Sequence, residues 1–321
     1  MLIYDILLII AGMALLIKGG DFLVDGASSL ARRLKISELA IGLTIVAFGT
    51  SAPELVVSLA AAIGSHPEIA LGNVIGSNNF NLFAILGITA LIAPLSVQKN
   101  TVRIEIPFSL FAAIVLLLLA NFNLLPDKIN MVSWIDGIIL LLLFGLFLLY
   151  VYKSMKNSES ADDVSSAKTH SMFKSILFIV LGLAFLVIGG RIVVDSAVNL
   201  ARDLNISEKI IGLTIVAIGT SLPELVTSIT AVIKKSDDIA IGNIIGSNIF
   251  NIFLILGASA LIKEMNYSPV FNMDIYFLIF GTLLLLLAMF TGKKRKLDRW
   301  EGAVFLLLYT GYVVYLIMRN E

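Results

Sequence analysis

Cysteine is absent from the 321 residues, which removes disulfides, thiolate metal sites and cysteine nucleophiles together. Histidine is nearly absent. His66 and His170 are the only two, so a nitrogen-ligated zinc site has almost no raw material. Charge is scarce as well: 14% of residues are charged, 23 basic against 23 acidic, and this balance gives no reason to expect nucleic acid or another polyanion as partner. What the chain has instead is apolar surface. Hydrophobic residues make up 58% and mean hydropathy is +0.97, a load that no water-soluble domain of this size carries without aggregating. The lipid bilayer is therefore the expected solvent.

Crossing about 30 Å of hydrocarbon takes about 20 apolar residues in a helix. Ten such runs recur, within residues 3–26, 39–63, 69–94, 104–121, 133–152, 174–198, 209–233, 239–262, 272–291 and 300–318. The opening MLIYDILLII has no basic n-region and no small-residue cleavage site, so it reads as the first span rather than a signal peptide. One long polar stretch interrupts the series, SMKNSESADDVSSAKTHSM at 154–172, too short and polar for a core of its own. Threading ten spans places sixteen Lys and Arg on the side of that linker and five on the other, with Lys18 and Arg191 inside helices. Because basic residues stay cytoplasmic, the linker is expected inside and both termini outside a plasma membrane. Trp134 and Trp300 open the fifth and tenth spans, as belt aromatics do.

Shifting the chain by 170 residues lays one half over the other. From Ile41 to Ser58 there are 15 identities in 18 positions, and from Ile69 to Gly87 there are 14 in 19. The matches include Gly, Thr, Ser, Pro, Glu and Asn, so apolar low complexity does not explain them. The chain is duplicated. Five spans per half is odd, so the halves enter the membrane with opposite orientation. The expected fold is therefore an all-α integral membrane protein, ten transmembrane helices as two inverted five-helix repeats (1–153 and 173–321) joined by the linker 154–172. In that architecture the substrate site lies at the repeat interface near the midplane.

The repeated segments carry polar residues that a bilayer tolerates only for a reason. GTSAPELVVS surrounds Glu54 and GTSLPELVTS surrounds Glu224. Pro53 and Pro223 lack the N–H that would bond back to Gly49 and Gly219, so each span is expected to break there. Thr50, Glu54 and Ser58 step by four and share a helix face, as do Thr220, Glu224 and Ser228. The next span of each half adds Asn73, Ser77 and Asn81, or Asn243, Ser247 and Asn251, flanked by glycines that permit close approach. Carboxylate, hydroxyl, amide and freed carbonyl oxygens suit hard cations, and Ca²⁺ takes roughly six to eight of them. Two glutamates at the midplane are sustainable only with counter-cations or protons. One Ca²⁺, two Na⁺ or two protons would each balance them, which is the condition for exchange at one site. Asn78 and Asn248 read equally as helix–helix glue or as ligands. Asp25 and Asp195 read as solvated helix ends, Lys18, Asp21 and Arg191 as interfacial charges, and His66 as a solvated loop residue.

The paired GTSxPE and GNxxGSNxxN segments resemble the α-repeats of the Ca²⁺/cation antiporter superfamily, which includes Na⁺/Ca²⁺ exchangers. The resemblance covers nearly the whole chain. It implies Na⁺ as driving ion, broken second, third, seventh and eighth spans, and alternating access by sliding of the long first and sixth helices. It makes Glu54 and Glu224 shared Ca²⁺ and Na⁺ ligands, with backbone carbonyls of Thr50 and Thr220 added for Ca²⁺. Ala47, Ser51 and Ser77, and Ala217, Ser221 and Ser247, match Na⁺-site positions, with Asn81 and Asn251 at the inner polar position. Some relatives, K⁺-dependent exchangers among them, carry Asp where Asn251 stands, so K⁺ co-transport is not expected. The short linker lacks the calcium-sensing domain of animal members. The expected function is thus Ca²⁺/Na⁺ antiport by a monomer in lipid, without a cofactor. Its alternatives are H⁺/Ca²⁺ antiport, a passive cation channel and, most remotely, an intramembrane acid–base enzyme, which would lack a nucleophile.

Overall fold

A computed structural model describes residues 2–64, 67–122, 130–156, 170–203, 217–291 and 295–319. Outside them fall His66, most of the linker (157–169), the start of the seventh span (204–216), and Lys128, Lys293 and Lys294.

Apolar helices dominate. The first, α1 (Leu2–Leu34), is followed by α2 (Glu38–Thr50) and α3 (Ala52–Ile63), which are bent by 47° where they meet. Then come α4 (Ile69–Ile92), α5 (Thr101–Asn121) and α6 (Trp134–Lys156). The second half contributes α7 (Met172–Asp203), α8 (Ala217–Thr220), α9 (Leu222–Ile233), α10 (Asp237–Ile262), α11 (Phe271–Ala288) and α12 (Arg299–Arg319). Among the described residues eight helices are long and apolar enough to cross a bilayer, and nine spans result if α2 and α3 are one. The shorter apolar α9 follows directly on α8 and the undescribed 204–216. Helices α6 and α7 reach into the expected linker, to Lys156 and from Met172.

Burial sorts the helices into layers. The most apolar windows of α4 and α10 are 78% and 94% buried, so these two form the centre, whereas that of α12 is 17% buried. Leu142, Leu146 and Leu149 of α6 are more than half exposed, the inverse of a soluble surface and the expected face toward lipid.

Among the described residues the all-α expectation holds but for four two-residue strands. β1 (Leu95–Ser96) pairs antiparallel with β4 (Lys296–Leu297), and β2 (Met131–Val132) with β3 (Met265–Asn266). Both ribbons tie one half to the other. Packing does the same, because a Cβ on Gly87 of α4 would stand 2.9 Å from the Gly302 carbonyl of α12, and one on Gly137 of α6 would stand 2.8 Å from the Gly257 carbonyl of α10. Thus α12 rests on α4, and α6 on α10, each across the two halves of the sequence.

α1 and α7 run far beyond the expected 3–26 and 174–198. They lie against each other along a small-residue seam in which Gly12 faces Gly189, Gly19 faces Gly182 and Gly26 faces Ser175, seven residues per step. A Cβ on Gly19 would lie 2.8 Å from Leu186 N and 2.9 Å from Gly182 O, both backbone atoms that cannot step aside. Gly19→Leu is accordingly expected to destabilise the protein by about 1–3 kcal/mol, read as a lower melting temperature in detergent. A variant that melts with the wild type would contradict this seam.

Asp25 is no helix end, since α1 continues to Leu34. Lys234, at the C-cap of α9, holds it with Nζ 2.9 Å from Asp25 Oδ1 and 3.1 Å from Asp21 Oδ1. Nearby, Ser28 Oγ and Ser236 Oγ share a buried 3.2 Å hydrogen bond. At the 170-residue shift the pattern differs: Asp195 lies 3.6 Å from Arg191 of its own helix, and Gly64 stands where Lys234 would.

Candidate ion site

The break between α2 and α3 builds the site. Helix α2 stops at Thr50, Ser51 adopts φ −79° and ψ 8°, and Pro53 falls in the first turn of α3, where its missing N–H has no helical partner to lose. The sequence places the break at Gly49 by way of Pro53; the structure places it at Ser51. In the second half Ser221 plays the same part, at φ −91° and ψ 10°, between α8 and α9. Thr50 and Glu54 therefore do not continue one straight helical face. The break frees Ser51 and Ser221 to reach across the molecule.

That reach is reciprocal. Ser51 Oγ donates to Glu224 Oε1 at 2.9 Å, and Ser221 Oγ donates to Glu54 Oε1 at 2.9 Å. Ser247 Oγ lies 2.9 Å from Ser51 Oγ and 3.4 Å from Glu224 Oε1, and Ser77 Oγ lies 3.2 Å from Ser221 Oγ. Ser51 and Ser221 thus each serve the other half's glutamate, and Ser247 also reaches the glutamate of its own half. Both carboxylates are wholly buried, and Ala47, Ser51, Ser221, Ser77, Ser247, Asn81, Asn251 and Thr50 are buried too, while Thr220 is half-buried. Ala217 opens α8; its side chain lies outside the described set.

Asparagines fix the backbone around the glutamates. Asn73 Nδ2 donates to Glu54 O at 3.3 Å and to Ser58 Oγ at 3.0 Å, and Asn243 Nδ2 donates to Glu224 O at 3.2 Å and to Ser228 Oγ at 3.0 Å. Asn243 also binds the other half, accepting from Thr50 Oγ1 at 2.9 Å. One turn beyond Ser77 and Ser247, α4 and α10 widen into π-type turns at Phe80–Ile85 and Phe250–Leu256, irregularities that recur at functional sites. Asn81 and Asn251 sit in them. The glue reading of Asn78 and Asn248 holds: Asn78 Nδ2 donates to the Asn248 carbonyl at 3.2 Å, and Asn248 Nδ2 to the Asn78 carbonyl at 3.4 Å. Sequence periodicity misses the cross-half serine–glutamate bonds because it treats each helix as straight and alone.

Among the buried oxygens of the described residues that find no donor, four belong to the two repeated motifs: Glu54 Oε2, Glu224 Oε2, Asn81 Oδ1 and Asn251 Oδ1. They are two pairs related by the 170-residue shift. A buried acceptor without a donor costs about 1–3 kcal/mol, more when charged, and carboxylate and amide oxygens are the kind of ligand that a hard cation takes. Among the described residues no cluster of three or more His, Cys, Asp or Glu could clamp a metal ion. The acidic groups at the candidate site are therefore two carboxylates, set among neutral oxygens.

Comparison with known proteins agrees with this chemistry. The family model described as sodium/calcium exchanger protein matches residues 4–153 and 174–318. The putative antiporter CaxA of Alkalimonas amylolytica is 38% identical over 95% of this chain and 96% of its own. The sodium/calcium exchanger MaX1 of Methanosarcina acetivorans is 34% identical, covering 98% of this chain and 99% of its own. A solved structure of the sodium-calcium exchanger NCX_Mj, soaked with Na⁺ and Sr²⁺, superposes with a TM-score of 0.82 at 34% identity, covering 98% of this chain and 99% of that one. That family and fold are those of transporters, not enzymes, and they imply Ca²⁺ and Na⁺ as transported ions. The chain is a multi-pass integral membrane protein that belongs to the sodium/calcium exchanger family and is a cation/Ca²⁺ antiporter.

Proposed function

We propose that this protein exchanges Ca²⁺ for Na⁺ at a single buried site, extruding Ca²⁺ on the inward Na⁺ gradient. The observation that carries the reading is the set of four donorless oxygens on Glu54, Glu224, Asn81 and Asn251. Two protons would neutralise the carboxylates, and a carboxylic O–H can donate to an amide oxygen, so this oxygen set by itself admits H⁺ as well. What supports Na⁺ as the competitor is the family match to sodium/calcium exchangers, together with a donor set of oxygens that suits hard cations. Ser51, Ser77, Ser221 and Ser247, with Ala47, Ala217, Thr50 and Thr220, complete the proposed oxygen shell through side chain or backbone.

The proposed frame is ten spans in two inverted repeats, 1–153 and 173–321, with a cytoplasmic linker, extracellular termini and a plasma-membrane setting. Cross-half ribbons, the paired Gly87–Gly302 and Gly257–Gly137 contacts and the reciprocal serine–glutamate bonds support it, since a two-fold axis in the membrane plane generates each pair. Alternating access then comes from α1 and α7 sliding together past the site, and a monomer suffices.

Reconstituted protein, assayed for ⁴⁵Ca²⁺ uptake with Na⁺, K⁺ or H⁺ gradients imposed in turn, tests the coupling. Uptake is expected to follow Na⁺ loaded inside the vesicles and to ignore K⁺. Uptake that follows a pH gradient alone would give the H⁺/Ca²⁺ reading, and uptake without any counter-gradient would make the protein a channel.

A further inference from the structure

Asn78 and Asn248 do more than join helices. An amide side chain has two ends of similar shape and opposite hydrogen-bonding sense, and rotation by 180° exchanges them. A cation site needs the oxygen end. Turned round, the same residue would present an N–H to the ion.

Here the orientation is decided by a chain of bonds that begins on the backbone. The Asn248 carbonyl accepts only, so the amide end facing it must be Asn78 Nδ2. That leaves Asn78 Oδ1 as an acceptor, and Asn251 Nδ2 donates to it at 2.9 Å. The end of Asn251 left over is Oδ1, buried and without a donor. The mirror chain runs from the Asn78 carbonyl to Asn248 Nδ2, then from Asn248 Oδ1 to Asn81 Nδ2 at 3.2 Å, and ends on the donorless Asn81 Oδ1. Both chains cross from one half to the other, and all four side chains are at most 1% exposed. We propose that Asn78 and Asn248 are positioning residues that hold the Asn251 and Asn81 amides with their oxygens toward the transported cation. This rests on the site reading above, in which those oxygens are cation ligands. It adds that Asn at 81 and 251 works only with its oriented partner, whereas a carboxylate in the same place has no wrong end.

The carboxylate supplies the test. In the full-length protein in liposomes, Asn78→Leu removes the acceptor that fixes Asn251, and the KM for Ca²⁺ is expected to rise about tenfold, as the loss of about one hydrogen-bonded ligand would give. Turnover at saturating Ca²⁺ should change much less. In an Asn251→Asp background the same Asn78→Leu substitution should leave KM nearly unmoved, because both oxygens of the introduced carboxylate accept. Equal KM increases in the two backgrounds would overturn the proposal and leave Asn78 as packing alone. Should Asn78→Leu not fold, Asn78→Asp retains the acceptor toward Asn251, loses the donor toward Asn248 and adds a negative charge, which draws a cation in rather than repelling it. Its melting temperature should fall without any rise in KM, and a raised KM would refute the assignment. If Asn251→Asp by itself leaves Ca²⁺ KM and Na⁺ competition untouched, position 251 does not face the ion and the proposal falls. The driving ion is settled separately by the gradient assay, since the KM ratios do not depend on it.

Discussion

Glu54→Gln and Glu224→Gln should each abolish Ca²⁺ flux, and by the same amount. Gln keeps an Oε1 to accept from Ser221 or Ser51, so the hydrogen bonds that hold each side chain survive the change. What changes is the donorless Oε2, which becomes an N–H₂ group directed at the cation, and half of the site's negative charge disappears. Two unit charges at about 4 Å and an effective dielectric constant of about 20 interact by about 4 kcal/mol, and Ca²⁺ carries twice the unit charge, so the loss in affinity is at least about a thousandfold. No compensating carboxylate stands in reach, because among the described residues no third acidic group joins the pair. The measurement is initial-rate ⁴⁵Ca²⁺ uptake at saturating Na⁺ gradient, with melting temperature with and without Ca²⁺ as a control for folding. Wild-type protein should be stabilised by Ca²⁺ and the variants should not. Retained wild-type flux in either variant would refute a two-carboxylate site, and a large difference between the two would argue against the reciprocal geometry.

The duplication makes the location of this site legible in the sequence alone. Two copies of a Pro–Glu step in a hydrophobic run carry information that one copy lacks, and the offset of 170 residues pairs Thr50, Ser51, Glu54, Ser58, Asn73, Ser77, Asn78 and Asn81 with their counterparts in the second half. Less legible is which atom meets which. Thr50, Glu54 and Ser58 share a face only on an unbroken helix. The chain turns at Ser51, so that residue serves the other half's Glu224 instead of its own Glu54. Nor can periodicity separate glue from ligand among the asparagines, since Asn78 and Asn81 differ only in what their ends touch across the interface.

The helix ends are hard to read for a related reason. Asp21 and Asp25 interrupt an apolar run and so look like the edge of a span. The backbone bonds of α1 are indifferent to them, and their charge is met from the other half of the chain by Lys234. The two-stranded ribbons leave no trace in the pattern because two residues carry no period. They matter for position nonetheless, since β1·β4 and β2·β3 each staple one half to the other near the ends of the central helices.

Cross-linking α1 to the α9–α10 turn should stop transport. Sliding of α1 and α7 past the site requires the lower part of α1 to change its neighbours, and its present neighbours there are explicit: Lys234 on Asp21 and Asp25, and Ser236 on Ser28. The ion pair alone is a weak restraint. All three side chains are 27–46% exposed, and exposed pairs contribute about 0–1 kcal/mol, so Lys234→Gln should alter flux by no more than about fivefold. A covalent bond in the same place is different in kind, because thermal motion does not open it. The two serine oxygens lie 3.2 Å apart, close enough for a Ser28→Cys/Ser236→Cys pair to reach disulfide geometry with small adjustment. The chain contains no cysteine, so the introduced pair can form one bond and no other within the molecule. Oxidation should lower Na⁺-driven Ca²⁺ flux at least about tenfold, in proportion to the fraction cross-linked, and reductant should restore it. A fully cross-linked protein that still transports at the reduced rate would mean that α1 stays fixed against α9 throughout the cycle. Access to Glu54 and Glu224 would then have to alternate by movement elsewhere, and the long seam between α1 and α7 would be a scaffold, not a slide.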